Sequence, residues 1–263
     1  MNHHSGYGLL LALGLATGYG VLAAGSARPW SRWRIASFQC GCVLLMLAAV
    51  SDHDISFAGD MRQHLLVGML APTALVLGAP VTLFLRTAPV SAARRMGRLL
   101  RTRAVRVLAH PVTALALAIG PLPVLYLTDV YDRVNTNAAL TGLLHLHFLV
   151  AGYLFAWALA GPDPAPRRPV VPARLLVLGA AVATHAVVSQ ALYAGAGSMS
   201  IPTADRQAGA TVMYYGGDLA ELILIAALVA GWRPAHAAAR RTTADRPGRG
   251  GVPTSTAVAT EEQ

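Results

Sequence analysis

The chain has 263 residues, of which 55% are hydrophobic and only 13% charged, with a mean hydropathy of +0.51. A soluble domain needs about a quarter of its residues charged, so this composition excludes an ordinary water-soluble globule. The net charge of +9 and pI near 10.4 would suggest nucleic acid in a soluble protein. Here membrane topology explains them, and no nucleic-acid partner is expected.

Seven apolar segments succeed one another at about 6–25, 35–50, 61–85, 111–128, 138–160, 174–194 and 209–232. Runs of about 20 apolar residues match a hydrocarbon core of about 30 Å. The fold class read from this pattern is all-α, a polytopic membrane bundle of seven transmembrane helices. No cleavage pattern follows the first run, which is read as a retained span. Pro72, Pro80, Pro121 and Pro123 interrupt segments three and four; neighbouring helices must then satisfy the carbonyls they free.

All 21 basic residues are arginine. Eighteen of the 21 fall in the connections after segments one, three and five or in the tail, leaving Arg62, Arg133 and Arg206 opposite. The positive-inside rule puts the N-terminus outside and the C-terminus in the cytoplasm. The organisation expected is a membrane domain over 1–232 and a disordered cytoplasmic tail over 233–263, rich in Ala, Thr, Gly and Pro. Within the arginine-rich stretch 91–110 a short amphipathic helix lying on anionic lipid is expected. Cys40 and Cys42, two residues apart on a helix, diverge and read as small core residues.

Depth singles out the ionisable groups. With this orientation His64 lies about one helical turn below the outer surface, His145 and His147 about 10–14 Å down, and Asp218 and Glu221 about 14–18 Å down. His185 is nine residues short of the outer end of segment six. No histidine or acid falls in the inner half of any span. Asp60 and His64 are i and i+4, and Asp218 and Glu221 are i and i+3, so each pair shares a helix face. His145 and His147 diverge by about 200°, and only one of them is expected to face the centre. Asp52, His53, Asp54, Asp129, Asp132 and Asp205 make the outer loops acidic, a mouth that attracts cations. Burial of such groups is costly, which marks them as functional candidates. Imidazole suits copper, zinc and iron, and thioethers select Cu(I); Met61, Met69, Met199 and Met213 lie in or near the same outer half.

Four stretches, DMRQHLLVGMLAPTALVLGAP from Asp60, HLHFLVAGYLFAWALAGPDP from His145, THAVVSQALYAG from Thr184 and ADRQAGATVMYYGGDLAEL from Ala204, together resemble the CtaG-type cytochrome c oxidase assembly factors of bacteria. The resemblance covers about 160 residues, in order. It implies a bacterial plasma-membrane protein that matures a haem-copper oxidase, delivering copper to the oxidase's large subunit, with extracytoplasmic copper chaperones as further partners. His64 matches the second histidine of the family's H-M-x-x-H pattern, and Asp60 stands where the first is usual. His147 looks like the family's segment-five histidine and His185 like its segment-six histidine. Asp205, Gln207, Gly217 and Asp218 match the motif leading into segment seven.

The reading is an assembly factor and not an enzyme, since no nucleophile with its base, phosphate-binding glycine loop or zinc-protease motif is present. Its candidate metal-binding residues are His64, His147, His185, Asp60, His145, Asp218 and Glu221, with Asp218 or Glu221 orienting an imidazole. The alternatives are a haem-binding membrane redox protein, with histidines as axial ligands, and a structural scaffold without metal. A transporter ranks lower, because the inner half offers only Gln39, Cys40 and Cys42 as a polar path.

Overall fold

The computed structural model describes residues 3–51, 56–166 and 168–231; the expected tail at 233–263 and the acidic loop residues Asp52, His53 and Asp54 lie outside the described residues. The described residues are helical and contain no strand. In chain order the helices are α1 (His3–Ala24), α2 (Arg32–Val50), α3 (Phe57–Leu65), α4 (Ala71–Leu77), α5 (Pro80–Thr87), α6 (Val90–Leu100), α7 (Arg103–Leu108), α8 (Pro111–Ala118), α9 (Pro121–Leu127), α10 (Val130–Asn135), α11 (Ala138–Ala160), α12 (Val171–Tyr193) and α13 (Thr203–Ala230). Among the described residues, five helical stretches are long and apolar enough to cross a membrane: α2, the run Phe57–Thr87, α11, α12 and α13. Gly8–Ala24 and Pro111–Leu127 are apolar but shorter.

Proline chemistry explains the broken helices. Pro72 has no N–H and its ring crowds the carbonyl four residues back. The chain answers by widening into a π-helical turn, Leu66–Leu70, which joins α3 to α4 and in which the Ala71 amide reaches back to the Leu66 carbonyl. The third expected segment is therefore α3, the π turn, α4 and α5, with a left-handed residue, Ala79 (φ 54°), before Pro80. The fourth is two short helices split at Gly120–Pro121. The arginine-rich stretch forms α6 and α7, which have no buried residue. Cys42 is buried as expected, whereas Cys40 is exposed.

Two apolar clusters hold the bundle together. One gathers side chains of α3, α8, α9, α11, α12 and α13, among them Phe57, Met61, Phe148, Leu178 and Met213. The other gathers α1, α2, α4 and α5 around Tyr19, Trp30, Phe38 and Leu83. There Tyr19 stacks on Phe38 with ring centres 3.9 Å apart, and its hydroxyl donates to the Gly78 carbonyl at 2.7 Å.

Carboxylates from distant parts of the chain cap two helix N-termini, where backbone amides have no partner within the helix. Asp205, at the start of α13, accepts from the Phe57 and Ala58 amides of α3 at 2.9 and 3.3 Å. Asp163, in the α11–α12 connection and only 1% exposed, accepts from the Val81 and Thr82 amides of α5 at 3.1 and 2.7 Å and from the Thr82 hydroxyl at 2.6 Å. The helical run that carries His64 is thus pinned near both ends.

Candidate functional site

Three polar side chains from three helices meet inside the first cluster. His64 (α3), His185 (α12) and Glu221 (α13) are 4%, 2% and 3% exposed. The His64 and His185 ring centres are 6.2 Å apart, and His185 Nδ1 lies 3.8 Å from Glu221 Oε1. His64 also packs edge-on against Phe148, ring centres 4.5 Å apart. Both nitrogens of His64, Nε2 of His185 and both carboxylate oxygens of Glu221 have no hydrogen-bond partner. Buried polar atoms are nearly always satisfied, and an unpaired one costs about 1–3 kcal/mol. Five such atoms lie together here.

The backbone makes room for this cluster. Gly217 lies against His185 so closely that a β-carbon there would overlap the imidazole. Gly152 of α11 faces the Gly68 carbonyl of the π turn in the same way. That carbonyl is the one Pro72 leaves without an amide, and only a glycine lets α11 approach it. Beside the cluster is a cavity of about 30 Å³, lined by His64, Met69, Thr73, Phe148 and Glu221 among others. One water needs roughly 10–15 Å³ on this measure, so the space suits one or two waters or a single small ion.

The remaining candidates fall elsewhere. His147 directs Nε2 at the Leu117 carbonyl of α8, 3.0 Å away. Residue 121 would normally satisfy that carbonyl, but it is Pro121 and has no N–H. His147 therefore heals a proline break, and it does not line the cavity. His145 and Asp60 line a second cavity toward α10, together with His64, Tyr126 and Tyr131; the Tyr131 hydroxyl donates to Asp60. Asp218 is half-buried one turn before Glu221. Met61, Met199 and Met213 are buried in core packing, and Met69 alone of the four lines the first cavity. Among the described residues, no three His, Cys, Asp or Glu side chains come together in a group that could hold a metal ion.

The acids of the expected mouth have other work. Asp129 pairs with Arg133, Asp132 accepts from the Ser200 amide at 3.1 Å, and Asp205 caps α3. Sequence reasoning missed Asp163 and Asp205 as caps, and it missed the partner of His147. The freed carbonyl was the one available clue, since Pro121 announces it.

Residues 15–235 match the family described as cytochrome c oxidase caa3 assembly factor. The chain belongs to this family. The match includes every helix that supplies His64, His185 and Glu221 to the cluster. Relatives of the chain include uncharacterised proteins of Mycobacterium bovis and Mycobacterium tuberculosis, each 31% identical over 249 residues, which is 86% of this chain and 38% of the relative. An uncharacterised protein of Mycobacterium leprae is 29% identical over 248 residues, again 38% of its length. The chain therefore spans well under half the length of these relatives. No solved structure gives a significant match.

Proposed function

We propose that the protein holds a copper ion, as cargo, in the outer half of the bacterial plasma membrane and passes it to the large subunit of a haem-copper oxidase during assembly. The observation that carries this reading is the buried His64–His185 pair with three ring nitrogens lacking a partner. Imidazole nitrogens bind metals such as zinc at about 2.0–2.1 Å, so one ion between two rings separates their centres by about 6 Å. The 6.2 Å observed fits that span. Met69 adds a thioether on the cavity that His64 and Glu221 line, a donor that selects Cu(I). Two imidazoles and a thioether form a soft, incomplete ligand set, which suits a carrier that must release its ion. Glu221 Oε1, 3.8 Å from His185 Nδ1, sets a carboxylate beside that ring without hydrogen-bonding it. His147 does not belong to this set. The role is transfer and not turnover.

In this reading the two shorter apolar stretches complete seven spans, with the N-terminus outside, and an extracytoplasmic copper chaperone supplies the ion. A porphyrin is far larger than the roughly 30 Å³ cavity, which argues against haem.

The test is copper content of the purified chain beside its optical spectrum. Near-stoichiometric copper, lost on combining His64→Ala with His185→Ala, supports the reading. Loss of oxidase assembly in a strain carrying that double variant, relieved by excess copper, is the cellular counterpart. A metal-free chain whose double variant still supports full oxidase activity at limiting copper would show a scaffold instead.

A further inference from the structure

The His64–His185 pair is enclosed, so an ion needs a route to it. Above it lie two chambers. The outer one, of about 330 Å³, opens between α3, α10 and the α12–α13 connection and is lined by Asp60, Gln63, Asp132, Ser200 and Asp205 among others. The inner one is about 30 Å³ and reaches His64 and Tyr126. Five residues line both chambers: Asp60, Tyr131, Asn135, Thr141 and His145. His64 and Phe148 in turn line both the inner chamber and the first cavity. The three spaces therefore run in series from the outer end of the bundle to Glu221.

In the shared wall between the outer two chambers the Tyr131 hydroxyl donates to the Asp60 carboxylate. The Tyr131 ring is held edge-on by Phe57, with ring centres 5.3 Å apart. Burial first, and the Asp60 carboxylate second, push the Tyr131 phenol upward from its ordinary value, so at neutral pH it keeps the proton it donates. The other titratable groups facing this place are Tyr126, whose ring centre is 6.1 Å from that of Tyr131, and His145, Asp132 and Asp205; the last two are engaged by backbone amides. His64, 4% exposed and without a hydrogen-bond partner, waits on the far side.

We propose that the Tyr131–Asp60 contact is the door of the site: an incoming Cu(I) exchanges for the tyrosine proton donor at the Asp60 carboxylate and then moves on to His64. This rests on the copper-carrier reading. It also gives Asp60 a task that differs from permanent ligation. A hard carboxylate is a poor final ligand for a soft ion but an adequate transient one.

The experiment follows transfer of Cu(I) from its coloured bicinchoninate chelate to the purified full chain by stopped flow, with equilibrium affinity measured alongside. Tyr131→Phe removes the donor and keeps the ring. Because a hydrogen bond to a charged group is comparatively strong, uptake and release should both quicken about tenfold or more, leaving the affinity nearly unchanged. Asp60→Asn should slow uptake, because the neutral amide attracts the cation less. If Tyr131→Phe binds copper at the unaltered rate, the door is overturned and the carrier reading stands. If Asp60→Asn weakens affinity without slowing uptake, Asp60 is a resident ligand and the door is again overturned. If the unaltered chain takes up no Cu(I), the carrier reading fails and the door with it.

Discussion

Gly217 shows how a single missing methyl shapes the buried cluster. Its α-carbon lies where any side chain would collide with the His185 ring. Forcing extra atoms into a packed interior costs about 1–3 kcal/mol, and here the atom that must give way is the proposed ligand. Gly217→Ala should therefore lower thermal stability modestly while abolishing copper retention. Comparing the midpoint of unfolding with bound copper checks this: a variant that keeps full copper would mean the imidazole moves freely and Gly217 serves packing alone. His147 carries the opposite lesson. From spacing alone it and His145 were equal candidates, since residues two apart on a helix point in divergent directions. The choice depends on a carbonyl in α8 that Pro121 leaves unpaired, thirty residues earlier in the chain. Local pattern places His147 at membrane depth; only the packing of α11 on α8 shows what satisfies it.

At the scale of elements, the helices themselves were legible because hydrocarbon leaves few alternatives: backbone groups in a bilayer must bond within their own helix. The prolines also marked where segments three and four would break. What they did not reveal was the form of each break, a π turn after His64 in one case and two short helices in the other. Nor did local signals disclose the caps, because a helix is ordinarily capped by its own preceding residue. Asp163 reaches α5 from 81–82 residues away, and Asp205 reaches α3 from 147–148 residues away, adding to the local cap that the Ser56 hydroxyl gives the Gly59 amide. Asp163→Ala would leave two amides and a hydroxyl buried and unpaired. Each such loss costs about 1–3 kcal/mol, so the variant should unfold at a clearly lower temperature or accumulate poorly. Asp205→Ala, at the partly buried start of α3, should cost about 0.5–2 kcal/mol. Thermal unfolding of both variants in detergent measures the difference. Equal, negligible effects would mean that water replaces both caps, and that the ends of the His64-bearing run are not held by these two carboxylates.

For the whole molecule the open quantity is which way it faces. The buried cluster lies toward the end of the bundle that carries α10 and the Gly195–Pro202 connection, whereas α6 and α7, with their arginines, lie toward the end capped by Asp163. Arginine side chains on cytoplasmic loops are retained there during insertion, so the proposed orientation puts the chambers outside and α6 and α7 inside. Copper delivery from an extracytoplasmic source requires that order; the reverse would aim the chambers at the cytoplasm. Single cysteines placed in a background with Cys40→Ser and Cys42→Ser can decide it, using an impermeant maleimide on intact spheroplasts. Ser198→Cys, exposed beside the chambers, should label at once, and Thr102→Cys, exposed between α6 and α7, only after the membrane is permeabilised. Inverted labelling would place the outer chamber on the side with no oxidised-compartment copper supply. The His64–His185 cluster would then need a cytoplasmic guest, even though its geometry would be unchanged.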